Sequence, residues 1–302
     1  YKGKRLPKNE TIEQFGIEVP LGEGIQMGKF YYDLNKNIVP VMAKDNFELF
    51  QRDDRYVSIM QNGQWMEGKG VCEGVVVLQG EKVSLGAKVK EFWQQYPKRI
   101  EYDNEKKVLR IDFWPHQAGE LNFRTTEVAY GPEAVARGSA FGIAKTHDFI
   151  LEIRPADAAV KQLVEDMKVK LGDIVLLPRM EWIAATSALG KLPEVDNWDK
   201  FMRGKELFLK DLFNWGDRQI KRFRWYGMID FGDTLSWYRQ RDYIEDYGSW
   251  GWHPVGRWGW FNCEVVGNHT GALLQFWRTH NYDYYLFGAR LARHIMLSLI
   301  HI

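Results

Sequence analysis

Short runs of β-branched and aromatic residues, broken by turns, fill the first half of the chain and restrict its fold more than any other feature. Residues 99–115 place apolar side chains on both sides of the polar sequence DNEKK, at Ile100, Tyr102, Val108, Leu109, Ile111 and Phe113. This pattern predicts a β-hairpin. Gly74–Leu85 and His147–Pro155 are runs of the same kind. Many short strands are typical of antiparallel sheets, so residues 1–155 are predicted to form a β-sandwich or barrel-like domain.

The second half has the spacing of amphipathic helices. Apolar residues of Asp157–Leu171 recur at helical intervals after the expected N-cap Asp157, and Asp196–Phe223 is a longer amphipathic stretch. Residues 267–296 predict an αα-hairpin whose second helix Asp283 can cap. Helical hairpins in series are typical of an α/α toroid, and this chain holds too few to close one. We therefore predict an α+β multidomain protein with a truncated α/α toroid at residues 156–296.

Composition excludes several classes of protein. The 302 residues are 45% hydrophobic and 27% charged, as expected of a globular chain rather than a disordered one. Lys plus Arg is 41 and Asp plus Glu is 40, which gives no support to a nucleic-acid partner or a polybasic membrane surface. No apolar run is long enough to span a bilayer. The two cysteines, Cys72 and Cys263, fit no metal-binding spacing, and we predict no metal site, although a need for calcium stays open.

The first and last residues of the sequence lead to two further predictions. The chain begins at Tyr1, so a signal peptide would lie outside this sequence, and a secreted or periplasmic location is compatible with it. The last residues, LSLIHI, can be encoded by a common transposase-adapter end of sequencing libraries. We therefore expect residues 297–302 to be an adapter-derived tail and the chain to be a fragment cut at both ends.

Aromatic residues concentrate near the end of the chain. Of 13 Trp residues, seven lie between Trp225 and Trp277, and seven of the 14 Tyr residues lie between Tyr226 and Tyr285. Flat aromatic rings stack well on the C–H faces of sugars, so the concentration indicates a carbohydrate partner. Trp225, Trp258 and Trp260 are therefore predicted substrate-binding residues. The same rings would also fill the core of a helical domain.

Two acidic residues, Asp230 and Asp233, follow Trp225 and Tyr226 and flank a glycine. Asp233 could cap a helix beginning near Thr234, and Asp230 could pair with an arginine. The functional alternative places one or both carboxylates in a cleft. A pair of carboxylates suits the hydrolysis of a glycosidic bond, provided that their separation is right.

The stretch GWFNCEVVGNHTG, residues 259–271, is rich in hydrogen-bonding side chains. Asn268 is a candidate for helix capping and for substrate binding, and Thr270 is the alternative cap. His269 would then stand in the first helical turn, where the positive helix end keeps an imidazole uncharged and able to accept a proton. In an extended segment Asn262 and Glu264 share one face, although Glu264 could instead form a buried ion pair.

These residue types suit β-elimination of a uronic-acid polymer. The substrate carboxylate must be neutralised, and Asn262 with Arg224 or Arg257 could do so. His269 is the predicted base and Tyr226 the predicted acid, since neither adds a fixed negative charge beside that carboxylate.

Three segments resemble one known family in their order along the chain. They are GIAKTHDF (Gly142–Phe149), YGMIDFGD (Tyr226–Asp233) and GWFNCEVVGNHTGALLQFWRT (Gly259–Thr279). The chain, over about residues 20 to 296, resembles the exo-rhamnogalacturonan lyase-like family, which contains polysaccharide lyase family 26 enzymes and their bacterial relatives. The resemblance implies an N-terminal β domain, a central catalytic α/α toroid and a further C-terminal part.

Three functions follow as expectations. The first is a polysaccharide lyase that cleaves an acidic, pectin-type glycan. The second is a glycoside hydrolase on uronic-acid oligosaccharides, in which Asp230, Asp233 or Glu264 supply the acid and base. The third is a glycan-binding protein without catalysis. The partner in each case is an acidic oligosaccharide or polysaccharide.

Overall fold

The computed structural model describes residues 11–22, 27–41, 46–122, 145–172, 175–192, 200–228, 231–232 and 268–298. Within these ranges the strands come first along the chain and the larger helices follow, which is the predicted α+β arrangement. The strands are β1 (Thr11–Ile12), β2 (Phe15–Pro20), β3 (Met27–Leu34), β4 (Asn37–Val41), β5 (Phe47–Gln51), β6 (Tyr56–Gln61), β7 (Gln64–Lys69), β8 (Val75–Gly80), β9 (Val83–Val89), β10 (Lys98–Asp103), β11 (Val108–Trp114), β12 (Leu121–Asn122) and β13 (Phe149–Pro155). The helices are α1 (Val160–Leu171), α2 (Met180–Thr186), α3 (Lys200–Phe223), α4 (Asn268–Thr279) and α5 (Tyr282–Ser298).

The strands form two large antiparallel sheets and a short two-stranded one. One sheet has the order β2-β11-β10-β5-β6-β7 and the other the order β13-β9-β8-β3-β4, while β1 pairs with β12. The hairpin predicted around DNEKK is confirmed, since β10 and β11 pair with Ile100 opposite Ile111 and Tyr102 opposite Leu109. The strand predicted within His147–Pro155 is confirmed as β13.

One apolar core lies between the two large sheets. Phe30 and Leu78 enter it from the five-stranded sheet, and Phe47, Leu49 and Ile111 enter it from the six-stranded sheet. All five side chains are buried. Burial of large apolar side chains stabilises folding by about 1.5–3 kcal/mol each, so this shared core holds the sheets together as a sandwich.

Helix α1 covers the other face of the five-stranded sheet. Leu163 and Met167 pack there against Val75 and Val77. The close approach depends on Gly86, because a Cβ atom at that position would lie 2.7 Å from Met167 Sδ. Strand β9 and helix α1 therefore pack closely at Gly86, because glycine has no side chain that would clash with Met167.

The predicted cap of α1 is wrong. Ala159 occupies the N-cap position and no side chain caps the helix there. The chain makes a tight turn directly after β13, in which the Ala158 amide donates to the Pro155 carbonyl at 3.0 Å. That turn takes up Asp157, so the helix begins later than the sequence pattern indicates.

Helices α4 and α5 confirm the predicted αα-hairpin, and Tyr284, Leu291 and Ile295 are buried on the expected face of α5. Asp283 is not the cap. The Asn281 side chain accepts a hydrogen bond from the Asp283 amide at 2.9 Å and caps the helix instead. The reason is that α5 begins at Tyr282, which places Asp283 inside the first turn.

Helix α3 packs on this hairpin. Phe213 lies edge-on to Tyr284 with ring centroids 4.4 Å apart, and Arg278 of α4 donates to Glu206 at 2.6 Å. The part of α3 that the sequence predicts at residues 196–199 lies outside the described residues. Among the described helices, none is long and apolar enough to cross a membrane.

Candidate functional site

A cleft lies where the β-sandwich meets helix α5. It encloses about 10 Å³, roughly the room of one water molecule, and is otherwise open to solvent. Its walls come from the turn after β9, from the segment before β13, from residue 231 and from α5. The lining residues are Glu91, Gln95, Lys145, Thr146, Phe231, Arg290, Arg293 and His294.

The turn after β9 supplies the first wall. Glu91 adopts a left-handed backbone conformation, with φ of 53°, and its carbonyl accepts a hydrogen bond from the Gln95 amide at 2.9 Å. The Gln95 side chain also donates to Glu91 Oε2 at 2.6 Å. Non-glycine residues with positive φ are uncommon, so this backbone is held by its surroundings. The result is a fixed carboxylate and amide at the edge of the cleft.

Helix α5 supplies the opposite wall. Arg290, Arg293 and His294 are three and four residues apart, so their side chains share one face of the helix. Arg290 lies 5.4 Å from the ring centroid of Phe231, within the range of a cation–π contact. Arg293 forms an ion pair with Asp148 at 2.6 Å. The ion pair connects α5 to the residue that directly precedes β13.

Gly232 lets the chain pass close to this helix. Its φ is 101°, and a Cβ atom there would lie 2.7 Å from the Arg290 carbonyl oxygen and 2.8 Å from His294 Cβ. Only glycine fits such a contact and such a backbone conformation without strain. Residue 231 is thereby held against α5, and its carbonyl accepts a hydrogen bond from Lys145 Nζ at 3.2 Å.

The cleft is electropositive. Lys145, Arg290 and Arg293 line it together with the carboxylate of Glu91, and Asp148 pairs with Arg293, so the cations exceed the carboxylates by one. Burial, with a smaller contribution from the charge of Lys145, lowers the pKa of His294 to about 3. The imidazole is therefore uncharged near neutral pH and, with so low a pKa, is a weak base in the empty cleft. Lys145 and Arg290 beside an uncharged imidazole form a site suited to an anionic ligand.

A buried pair lies beneath the cleft. Lys98 is fully buried, donates to the Gln95 carbonyl at 2.8 Å and has its Nζ 3.4 Å from His147 Nδ1. His147 stacks on Phe113 with ring centroids 4.3 Å apart. Burial and then the charge of Lys145 hold the pKa of Lys98 well below its usual value, and burial likewise lowers the pKa of His147. This pair joins the turn after β9 to the segment that carries Lys145.

Tyr226 is the sequence-predicted residue that the structure places beside the cleft. Its ring stacks on Phe231 with centroids 6.4 Å apart and contacts Trp93 at 4.9 Å. Burial raises the pKa of Tyr226, while the charge of Arg290 opposes the rise. The phenol therefore keeps its proton near neutral pH and can donate it. Backbone hydrogen bonds from Gly227 to Gln94, at 2.7 Å, fix this segment on the sandwich.

The other predicted site residues that the structure describes lie away from the cleft lining. Arg224 forms a bidentate ion pair with Asp54, in which Nε lies 2.7 Å from Oδ2. Trp225 is buried, with 8% of its surface exposed, which leaves little of the ring for a ligand. His269 stands in the first turn of α4, as predicted, and its Nδ1 has no hydrogen-bond partner among the described residues.

Helix α4 begins at Asn268, so Thr270 lies within the helix and is not its cap. His269 is not among the residues that line the cleft. The remaining predicted site residues lie outside the described residues. They are Asp230, Asp233, Arg257, Trp258, Trp260, Asn262 and Glu264.

Sequence reasoning missed most of the cleft. Lys145 lies in the GIAKTHDF segment, and Arg290, Arg293 and His294 lie on a helix that the sequence predicts. Their spacing on α5 was the available signal, because two arginines and a histidine on one face of a helix beside an apolar stripe form a basic surface. No sequence pattern predicts that Glu91 lies next to that surface in the folded protein. Among the described residues, no group of three or more His, Cys, Asp or Glu side chains could hold a metal ion.

Comparison with known proteins adds one distant relative. No protein-family model matches this chain. The chain is similar to the uncharacterised protein YetA of Bacillus subtilis strain 168, with 23% identity over 268 residues that cover 83% of this chain. It spans 29% of the length of that curated relative. The relative's name states no activity, so the similarity carries none to this chain.

Proposed function

We propose that the protein is a polysaccharide lyase that cleaves an acidic, pectin-type glycan by β-elimination, with its reaction centre at the cleft. The observation that carries this proposal is the grouping of Lys145, Arg290 and Arg293 beside an uncharged imidazole and a protonated tyrosine. Lys145 and Arg290 would attract a uronate carboxylate at the mouth of the cleft, because charge-assisted hydrogen bonds to carboxylates are strong.

The chemistry has three linked parts. A base removes the proton from C5 of the uronate, and the cations stabilise the negative charge that develops on the carboxylate. The electron pair forms the C4–C5 double bond, and the bond from C4 to the glycosidic oxygen breaks. An acid then gives that oxygen a proton. No water is added to either product.

The described residues can supply each part. Arg290 and Lys145 would neutralise the carboxylate, and Tyr226 would protonate the leaving oxygen. His294 is the described imidazole that lines the cleft, and a bound carboxylate would raise its pKa from about 3 towards the range of an effective base. His269, the base predicted from the sequence, remains the alternative.

The finer architecture belongs to the same proposal. Helix α3 and the α4–α5 hairpin would form part of an α/α toroid, closed by other segments of a longer protein. What supports this is the packing of α3 on the hairpin through Phe213 and the share of the relative's length that the chain spans.

Product analysis tests the proposal. The protein is incubated with rhamnogalacturonan oligosaccharides while ultraviolet absorbance and product mass are followed together. Elimination gives new absorbance and products without added water. Tyr226→Phe should lower kcat by about 100-fold or more, since it removes the proton donor.

Further variants assign the base and the carboxylate site. Arg290→Gln should raise KM strongly, whereas the matched change Arg179→Gln, at an exposed arginine outside the cleft, should leave turnover unchanged. Loss of turnover in His294→Gln but not in His269→Gln would assign the base to the cleft. Products that carry an added water would contradict elimination and favour the glycoside hydrolase.

A further inference from the structure

The residues that line the cleft differ in the hydrogen bonds that they offer a ligand. The side chains of Lys145 and Arg290 carry donors only. Glu91 and Gln95, in the turn after β9, present oxygen atoms, which accept. The Gln95 side-chain nitrogen donates to Glu91 Oε2 at 2.6 Å, so that nitrogen is directed at the carboxylate. We call Glu91 and Gln95 the acceptor wall.

One oxygen of the acceptor wall is buried and lacks a donor. Gln95 is 4% exposed, and its Oε1 has no hydrogen-bond partner among the described residues. Buried acceptors in native proteins are paired in the great majority of cases, so this oxygen indicates a donor supplied by water or a ligand. The cleft that Gln95 lines encloses about 10 Å³, the room of one water molecule. A hydroxyl group has the size and the proton for that space, whereas a carboxylate group is larger and brings no proton.

The acceptor wall is held in place by its surroundings. The Lys90 amide donates to the Asp148 carbonyl at 2.9 Å, which fixes the turn to the segment before β13. Beneath the wall, buried Lys98 donates to the Gln95 carbonyl at 2.8 Å. The backbone of Glu91 is itself constrained, with φ of 53°. The wall therefore keeps its position when a ligand enters.

The charge balance of the cleft favours a ligand with one negative group. Arg293 pairs with Asp148 at 2.6 Å. Among the other described lining residues, two cations, Lys145 and Arg290, then face the single carboxylate of Glu91. One ligand carboxylate neutralises this excess. A second carboxylate on the same ligand would meet Glu91 without a cation of its own, and juxtaposed like charges strongly disfavour binding.

We propose that the acceptor wall makes the cleft selective for ligands with a single carboxylate, with Glu91 as the specificity-determining residue. The ligand carboxylate lies against Lys145 and Arg290, and a neighbouring hydroxyl group donates to the acceptor wall. A glycan with carboxylates on adjacent sugars binds weakly, because the repulsive contact with Glu91 acts against it. That the ligand is an acidic glycan rests on the proposed function, whereas the selection for one charge rests on the acceptors and charges of the cleft.

Calorimetric titration of the full chain at pH 7 tests this selection. The two ligands are digalacturonate, which has two carboxylates, and a monomethyl ester of digalacturonate, which has one. Every protein in the titration carries Tyr226→Phe, so that neither ligand is consumed. We expect the ester to bind about tenfold or more tightly than the diacid, since only the diacid brings a like charge to Glu91.

Two matched variants assign the preference to the acceptor wall. Glu91→Gln keeps the size of the side chain and removes its charge, and should bring the two affinities to within about twofold of each other. Glu81→Gln removes an exposed carboxylate from the turn between β8 and β9 and should keep the full preference for the ester. Thermal unfolding of both variants should match that of the parent protein.

The selection is overturned if the parent protein binds both ligands equally or binds neither. An unchanged preference in Glu91→Gln, or an equal loss of preference in Glu81→Gln, would overturn it as well. Turnover of rhamnogalacturonan oligosaccharides by the protein with Tyr226 intact is measured separately. Turnover without a preference in binding would keep the lyase and reject the selection. A preference that depends on Glu91, in a protein without turnover, would keep the selection and reject the lyase.

Discussion

At the scale of single residues, the buried imidazole of His294 makes the stability of the protein depend on pH. Its pKa falls from 6.5 to about 3 on folding, so the unfolded chain binds more protons between these values. Burial of uncharged His294 therefore leaves the free energy of unfolding at its full value above about pH 6.5. The free energy of unfolding then decreases as the pH falls from about 6.5 towards 3. With about 1.4 kcal/mol for each pKa unit, the loss is at most about 5 kcal/mol.

Chemical denaturation between pH 7 and pH 4 measures this dependence. We expect His294→Gln to flatten the profile, because the replacement cannot be protonated. A profile that is equally steep in the variant would assign the acid sensitivity elsewhere, and His147, whose pKa burial also lowers, is the next residue to replace.

Arg224 offers a second prediction at the same scale. Asp54 is 7% exposed, and removing its partner leaves a buried carboxylate without a counter-charge. Arg224→Ala should therefore lower the free energy of unfolding by about 3 kcal/mol, and the double variant Arg224→Ala/Asp54→Asn should recover part of that loss. If Arg224 instead bound the substrate carboxylate, KM would rise while the free energy of unfolding stayed the same.

At the scale of elements, the contact between α1 and the five-stranded sheet depends on a single missing side chain. Gly86→Ala would place a Cβ atom 2.7 Å from Met167 Sδ and Cε and 3.3 Å from Leu163 Cδ2. We expect a loss of about 1–3 kcal/mol from this overpacking. In a double-mutant cycle the extra methyl group should cost less in the Met167→Ala background, since that change removes the clashing atoms. Additive losses would show that the helix moves as a whole.

Elements were the most predictable level of the structure. Alternating apolar residues around DNEKK define a hairpin because the side-chain period of a strand is two, and the α4–α5 pattern defines an αα-hairpin for the corresponding helical reason. Helix caps were less predictable. Asp157 and Asp283 are good capping residues by type, but a turn after β13 and the Asn281 side chain decided where the two helices begin.

The site was predictable only in part. Tyr226 was found because aromatic and acidic residues cluster around it in the sequence. Glu91, Lys145 and Arg290 are far apart along the chain, and only tertiary packing brings them to one cleft. A sequence pattern records local periodicity, so it has no means of showing which distant segments meet.

At the scale of the whole molecule, we expect the β-sandwich and α1 to unfold as one cooperative unit. Val75 and Val77 are buried by α1, so a fragment that ends at residue 155 would expose that face of the sheet. We expect a fragment of residues 1–172 to unfold in a single thermal transition and to stay soluble. The fragment of residues 1–155 should have a lower Tm and aggregate. Equal Tm values for the two fragments would instead support the domain boundary at residue 155 that the sequence predicts.

The walls of the cleft are synthesised at very different times. Glu91 precedes His294 by about 200 residues along the chain. At about 5–20 residues per second, the sandwich has several seconds to form before α5 exists. The nascent protein thus holds half of an anion site with nothing opposite it. Charge complementarity between the two halves matures only once α5 has been synthesised, when Arg293 first meets Asp148.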